Sequence, residues 1–231
     1  MAPIFHLCNR ILLALEIPGF DRLALEEELT RIRRSERDSI SLISSACLKG
    51  LQGSRFLVVS RSSAITRSLL AMTADRRIET VVMESLPGGE GSIIAKELAD
   101  GGVRVTLVCD SMVFEEARRC DAGLSGADSI GPGGVLNKIG TRSMAQACIA
   151  AGIPCHVLAG ESKLLPFAPS EMMRYEATSD DLTRASQVFE LTPLGLFDRW
   201  FSEQGDLPAM EAARRSGSMA VSPSLLRAKT G

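Results

Sequence analysis

The sequence lacks the residues on which most metal sites and disulfide frameworks depend. It contains only two histidines, His6 and His156, and its six cysteines are scattered without a CxxC pair or a compact disulfide spacing. Zinc sites use closely spaced cysteine and histidine ligands, so we expect no metal. Reduced thiols in a cytosolic protein are the simplest interpretation of the cysteines.

A basic excess is also missing, since the net charge is −2 and the pI is about 5.8. Proteins that bind nucleic acid directly mostly carry a strong positive patch. Four arginines do cluster between Arg31 and Arg37, but acidic residues from Glu26 to Asp38 surround them, which is typical of a solvated helix face. We expect no direct nucleic-acid partner.

Long hydrophobic runs are absent as well. The apolar residues from Ile11 to Ala14 are interrupted by Glu16, and no convincing small-residue cleavage site follows. No stretch approaches the length of a transmembrane helix. We therefore expect a cytoplasmic protein with no membrane partner.

Short β-branched runs alternate with amphipathic helical patterns from Arg55 onward. The runs are continuously apolar, which predicts strands buried on both faces of a parallel sheet covered by helices, and hence an α/β fold class. The strands are expected at 56–59, 79–83, 103–108, 122–126 and 155–159, and the helices at 62–72, 91–100, 112–119 and 138–151.

Three regions follow from these patterns. Residues 1–53 predict a short N-terminal helical segment, with separate helices from Asp21 through Ile32 and from Ser39 to Leu51. Residues 54–209 form the α/β domain, which is irregular after Pro166 and ends in a structured piece with a helix in LFDRWF (196–201). Residues 210–231, rich in Ala, Ser and Arg, predict a mobile tail.

Polar residues follow the predicted strands. Ligands of open parallel α/β sheets bind at the carboxyl ends of the strands, where loops and helix N-termini gather. The positions expected at this edge are Ser60, Glu84, Asp110, Asp128 and Glu161.

Two segments at this edge suit a phosphate group. Ser60, Arg61, Ser62 and Ser63 open a helix, where free backbone N–H groups and the positive end of the helix dipole meet an anion. The turn at 131–134 leads to a second predicted helix start, where Asn137 and Lys138 supply donors and a charge. Serines that cap a helix and glycines in a turn are the alternative interpretation of each segment.

Asp128 lies just past a buried strand, in Gly126-Ala127-Asp128. Partial burial would raise the pKa of this carboxyl group and suit general acid–base work on a sugar hydroxyl or carbonyl. The alternative is an Asx turn that satisfies local backbone N–H groups. No GxGxxG follows the first strand, so a dinucleotide or other cofactor is not expected.

Longer segments resemble one known family. They resemble the family that joins the α, β and δ subunits of translation initiation factor 2B with isomerases of methylthioribose 1-phosphate and ribose 1,5-bisphosphate. The resemblance covers roughly residues 50–205. Its segments are SRSSAI (60–65), ESLPGGEG (84–91), VRVTLVCDS (103–111), GADSIGPGGVLNKIGT (126–141), GIPCHVLAGESKLLP (152–166) and FELTP (189–193).

The resemblance implies a Rossmann-like core behind a helical N-terminal domain, and dimers or higher assemblies. In the isomerases of the family, a cysteine at the end of the first core strand works with the GAD aspartate to move hydrogen between C1 and C2 of the sugar. The aspartate corresponds to Asp128, the cysteine position falls on Ser60, and Asn137 and Lys138 resemble the substrate-binding pair. ESLPGGEG contributes Glu84 and Glu90 to the candidate binding residues.

Three departures from the isomerases count against isomerase activity in this chain. A serine hydroxyl at Ser60 has a far higher pKa than a thiol, the arginine of the family's ESRP motif is Leu86, and residues 1–53 contain no Arg-Gly-Ala substrate loop. Our main hypothesis is therefore a non-catalytic or regulatory relative that binds a phosphorylated sugar or nucleotide and assembles with identical or related subunits. The alternative is an aldose–ketose isomerase of a ribose 1-phosphate derivative, and a third possibility is another reaction that uses Ser60 or Asp110. In an isomerase, Cys109 would be the thiol near enough to substitute.

Overall fold

The computed structural model describes residues 2–17, 19–168, 174–179 and 182–227. Twelve strands and eight α-helices lie in these residues. The strands are β1 (Arg55–Val58), β2 (Glu79–Met83), β3 (Arg104–Val108), β4 (Ala122–Ser125), β5 (Ser129–Gly131), β6 (Gly134–Lys138), β7 (Cys155–Leu158), β8 (Arg174–Ser179), β9 (Leu182–Gln187), β10 (Phe189–Thr192), β11 (Arg199–Ser202) and β12 (Gly205–Pro208). The helices are α1 (Ala2–Leu15), α2 (Arg22–Gly50), α3 (Ser63–Met72), α4 (Glu90–Asp100), α5 (Val113–Ala117), α6 (Thr141–Ala151), α7 (Ala209–Gly217) and α8 (Pro223–Arg227).

A seven-stranded sheet in the order β12-β11-β7-β4-β1-β2-β3 forms the centre of the fold. All its neighbouring strands are parallel except β11 and β12, which are antiparallel. Leu57 of β1 lies opposite Val81 on one side and Gly123 on the other. The α/β fold class with a mostly parallel, helix-covered sheet is thus confirmed.

Helices cover both faces of this sheet. Phe56 and Val58 pack with α2, α3 and α4 on one face, in a buried cluster that includes Ile43, Ile65 and Ile94. Leu57 faces the opposite layer, where α5, α6 and α7 contribute the second cluster. Alternate side chains of a strand point to opposite faces, so the continuous apolar run of β1 fills both cores.

Strand β3 departs from the expected burial on both faces. It is an edge strand, and Arg104, Thr106 and Leu107 are exposed. The prediction was wrong here because an apolar run does not reveal which strand has a neighbour on one side only.

Helix α2 is one continuous helix where two were expected. Asp21 caps it by accepting a hydrogen bond from the backbone N–H of Ala24 at 2.9 Å. Its carboxyl half buries Ile43 and Cys47 against the sheet. The charged stretch between the two predicted helices did not end the helix because charged residues stay solvated on its outer face.

The segment 134–138 is a strand rather than a helix start. β6 pairs with β5 on one side and β10 on the other in a separate three-stranded sheet, and α6 begins only at Thr141. LFDRWF is likewise not helical, because Trp200 and Phe201 lie in β11 and pair with Val157 and Leu158. The region after Pro166 contains the antiparallel pair β8 and β9 where an irregular segment was expected.

The predicted mobile tail contains helix α7. Its side chains at Ala212 and Ser216 are buried, and the Ser216 hydroxyl donates to the Leu165 carbonyl. This part of the tail is therefore folded against the domain, while residues 228–231 lie outside the described residues. Within the described ranges, no helix combines the length and hydrophobicity that a membrane span requires.

Candidate functional site

The carboxyl ends of β1 and β2 are joined through two serines in an unusual backbone conformation. Ser60 and Ser85 have φ angles of 61° and 63°, and the backbone N–H of Ser60 donates to the Ser85 hydroxyl at 2.7 Å. Positive φ is uncommon for residues other than glycine and concentrates at functional sites. The structure therefore marks the end of β1 as a constrained position, and the sequence analysis did not predict that Ser85 would hold it.

Asp110, at the end of β3, fixes the loop that follows β2. Its two carboxylate oxygens accept hydrogen bonds from the backbone N–H groups of Ser85 and Leu86, each at 2.8 Å. Asp110 thus lies at the expected edge, but both oxygens already have partners in the loop. The geometry gives it a positioning role.

Helix α3 begins beside the GAD segment. Ser62 caps the helix, its hydroxyl accepting from the Ile65 N–H at 3.5 Å, and Ser63 is exposed on the first turn. A side chain at Gly126 would come within 2.9 Å of Ser62, so the two segments touch. Arg61 turns away and pairs with Glu97 on α4 at 2.6 Å.

Asp128 and Asn137 lie at the open end of the β5–β6 hairpin. The backbone N–H of Asp128 donates to the Leu136 carbonyl at 2.9 Å. The buried Asn137 amide donates to the hydroxyls of Ser125 at 3.3 Å and Thr141 at 3.0 Å. These bonds hold the amide in place rather than leaving both its donor hydrogens to a ligand.

The carboxyl group of Asp128 is electrostatically perturbed. Asp128 as a whole residue is exposed, yet protein atoms displace enough water from its carboxyl group to raise the pKa. The positive charge of Lys163 partly offsets the rise, and the negative charge of Glu90 adds to it. The direction agrees with the sequence-based expectation, whereas Lys163 was missed.

Lys138 is buried and paired with Glu90. Its ammonium nitrogen lies 2.9 Å from Oε2 and 3.1 Å from Oε1 of this carboxylate. Both are candidate binding residues from the sequence analysis, and the structure brings them together although they are 48 residues apart in the sequence. The charge that was expected to meet a phosphate therefore already has a counter-ion.

Glu190 occupies the start of helix α6. One of its carboxylate oxygens accepts from the backbone N–H groups of Gly140 at 2.7 Å and Arg142 at 2.9 Å. Free N–H groups at a helix N-terminus attract anions, and here an internal carboxylate fills that role. Of the two expected phosphate sites, the start of α3 is the more open one.

The remaining candidate residues lie in different surroundings. Glu84 is half-buried beyond the end of β2, and its carboxylate has no side-chain partner in the part of the chain that the structure describes. Glu161 lies apart from the others, pairs with Arg215 and lines a cavity of about 1190 Å³ between α1, α2 and the 161–164 segment. Cys109 is exposed beside Asp110, with its sulfur 3.2 Å from the Ser111 hydroxyl.

Two cavities stand out, but neither is lined by the central candidates. The 1190 Å³ cavity and a second one of about 630 Å³, near Cys120 and His156, are not bordered by Ser60, Asp128 or Lys138. Among the described residues, no group of three or more His, Cys, Asp or Glu side chains is arranged to hold a metal ion. The candidate site is thus the edge formed by the ends of β1 to β4 and the β5–β6 hairpin.

Comparisons with known proteins agree with this fold. The model of the initiation factor 2 subunit family matches residues 21–208. A ribose 1,5-bisphosphate isomerase of Haloferax volcanii is 34% identical over 153 residues, which cover 60% of this chain and 47% of that protein. Its counterpart in Archaeoglobus fulgidus is 29% identical over 160 residues, covering 64% of this chain and 51% of that protein. The chain spans about half the length of these relatives.

Solved structures show the same architecture. A translation initiation factor eIF-2B from Pyrococcus horikoshii superposes with a TM-score of 0.77 at 23% identity, over 90% of this chain and 76% of that chain. A 5-methylthioribose 1-phosphate isomerase from the same organism gives a TM-score of 0.73 at 19% identity, over 92% and 68%. At these identities the likeness establishes the fold.

Proposed function

The chain belongs to the initiation factor 2 subunit family, and from this premise we propose that it is an aldose–ketose isomerase of a ribose 1-phosphate derivative. Ribose 1,5-bisphosphate and methylthioribose 1-phosphate are the substrates to consider first. Two relatives, 34% and 29% identical to this chain, bear the name of the first activity, and this supports the isomerase over the non-catalytic hypothesis. The observation that carries the proposal is the position of Asp128 at the strand ends, where it is held by the Leu136 carbonyl and where displacement of water raises the pKa of its carboxyl group.

Asp128 is the proposed general acid. A raised pKa keeps a larger fraction of the carboxyl group protonated near neutral pH than an ordinary aspartate retains. In the proposed reaction it donates this proton to the ring oxygen as the bond between C1 and that oxygen breaks. The C2 hydrogen then moves with its bonding electrons to C1, and Asp128 accepts the proton of the C2 hydroxyl as the C2 ketone forms. Lys163 provides a positive charge nearby while Asp128 is ionised.

The start of α3 is the proposed phosphate contact. The first backbone N–H groups of a helix have no partner within the helix and attract anions, and the exposed Ser63 lies on this first turn. Ser62 already caps the helix and touches Gly126, which links the phosphate contact to the segment that carries Asp128. This arrangement would hold the sugar between α3 and the hairpin.

Ser60 takes the position of the family's cysteine in this proposal. Its hydroxyl can donate a hydrogen bond to a sugar oxygen, but its high pKa makes it a poor acid–base partner. We accordingly expect slow turnover.

A second candidate function, a non-catalytic sensor of a phosphorylated sugar or nucleotide, is favoured by this serine and by the Glu90 counter-ion on Lys138. Either protein would act in the cytoplasm, as a homo-oligomer or with related subunits.

An isomerase assay on ribose 1,5-bisphosphate and methylthioribose 1-phosphate tests the proposal. Appearance of a C2 ketone is followed by ¹³C NMR for the wild type, Asp128→Asn and Ser60→Cys, with Asp100→Asn as a surface control of equal charge change. We expect slow turnover by the wild type, a loss of at least about 100-fold in Asp128→Asn, and a gain in Ser60→Cys. Binding without turnover in the wild type would contradict the isomerase and support the sensor.

A further inference from the structure

The ion pair between Glu90 and Lys138 has an inner and an outer member. The side chain of Lys138 is 2% exposed, whereas that of Glu90 is 35% exposed. Both carboxylate oxygens lie within 3.1 Å of the ammonium nitrogen. A ligand reaches the ammonium group only by displacing the Glu90 carboxylate, whose Oε2 atom is itself buried.

From this arrangement we propose that Lys138 is a second phosphate contact, in addition to the start of α3, and that Glu90 competes with phosphate monoesters for it and so sets the affinity and selectivity of the site. The inference deepens the proposed function and rests on it for the identity of the natural ligand. It makes Glu90 a specificity-determining residue. A phosphate must offer Lys138 a stronger partner than the carboxylate that it replaces.

The loop before α4 is shaped to hold this carboxylate in place. A Cβ atom at Gly88 would lie 2.4 to 2.7 Å from the carboxyl atoms of Glu90, so only the absence of a side chain there leaves room for them. Gly89 has a φ of 73°, a conformation that favours glycine. Two adjacent glycines thus allow the chain to fold the carboxylate back over Lys138.

The start of α4 is fixed just as closely. A Cβ atom at Gly91 would lie 1.8 Å from the Met83 carbonyl oxygen, so the helix begins in direct contact with the end of β2. The backbone N–H of Gly91 donates to the Glu84 carbonyl at 3.1 Å. The backbone that carries Glu90 is therefore anchored, and displacement by a ligand has to move the side chain.

The charges around the pair increase the competition. Asp128 is close enough for Glu90 to influence its ionisation. Lys163 is a cation that acts on Asp128 and favours its ionised form. A phosphate that arrives at Lys138 consequently meets the negative charge of Glu90, with that of ionised Asp128 nearby, and neutralising Glu90 removes the nearer of the two.

Calorimetric titration with inorganic phosphate and with ribose 1,5-bisphosphate tests the inference. Glu90→Gln keeps the shape and one hydrogen-bond acceptor for Lys138 but removes the charge. We expect about 10- to 100-fold tighter binding of both probes, equivalent to about 1.4–2.7 kcal/mol. Lys138→Met should abolish this gain when combined with Glu90→Gln, and Asp100→Asn, an exposed charge change on the same helix, should leave the affinities at the wild-type value.

Glu90→Gln leaves the buried ammonium group of Lys138 without a counter-ion, which destabilises the fold. A second variant therefore tests the inference with the negative charge retained. Glu90→Asp keeps the charge on a shorter side chain, and we expect a smaller gain in affinity, measured as a phosphate-dependent rise of Tm. Unchanged or weaker phosphate binding in both variants would overturn the inference.

Failure of the inference and failure of the proposed function give different results. Wild-type turnover with no gain in the Glu90 variants would refute the competition alone. Tighter phosphate binding by Glu90→Gln without turnover in any variant would refute the isomerase and keep the competition.

Discussion

Replacement of Asp110 by alanine distinguishes a positioning role from a ligand contact. The wild-type carboxylate accepts hydrogen bonds from the backbone N–H groups of Ser85 and Leu86, at 2.8 Å each. Alanine leaves both donors without this partner and releases the loop that holds Ser85 at a positive φ. Because the Ser85 hydroxyl in turn accepts from the Ser60 N–H, the end of β1 should loosen as well.

The expected loss of stability follows from these two bonds. Hydrogen bonds to charged groups contribute about 1.5–3 kcal/mol each, and partial exposure of Asp110 reduces the combined effect to about 2 kcal/mol. For a chain of 231 residues this corresponds to a fall in Tm of about 4–8 °C. Urea unfolding followed by circular dichroism measures the free energy, and calorimetry with ribose 1,5-bisphosphate measures the affinity.

Asp121 provides the matched control for this experiment. Its carboxylate also accepts hydrogen bonds from two backbone N–H groups, those of Ser54 at 2.7 Å and Arg55 at 2.8 Å. These bonds lie near the amino ends of the strands, away from the candidate site. Asp121→Ala should lower stability comparably and leave ligand affinity unchanged, while Asp110→Ala lowers both. Weakened binding by Asp110→Ala with wild-type stability would refute the positioning role and favour direct ligand contact.

Two further predictions concern charge at the site. Asp128 has a folded-state pKa above its unfolded value of about 3.8, so stability falls as the pH rises through this interval and the cost is fully present above it. Asp128→Asn should therefore be more stable than the wild type at pH 7, with the difference shrinking toward pH 3.8, as measured by urea unfolding; a less stable variant at pH 7 would contradict the perturbed pKa. Glu190→Ala should cost about 1–2 kcal/mol because it uncaps α6, and an unchanged urea midpoint would contradict the capping role.

Local patterns were sufficient for most of the central sheet. The apolar runs at the first strands placed β1 and β2 in a parallel, helix-covered arrangement, because burial on both faces demands continuous hydrophobicity. The helix that we predicted in LFDRWF is instead a strand, and burial on both faces of the sheet is again the physical reason. Its apolar spacing suits a helix, but Trp200 and Phe201 are flanked by strands and buried on both faces of the sheet.

The sequence by itself determined the fold class, the family resemblance and the set of polar residues near the strand ends. Tertiary structure alone decided which of them pair. Lys138 meets Glu90 across 48 residues, and Glu190 caps a helix start 50 residues away. Such pairings depend on loop conformations and on distances in space, which residue periodicity does not encode. The physical consequence is that charges expected to await a ligand are already compensated within the protein.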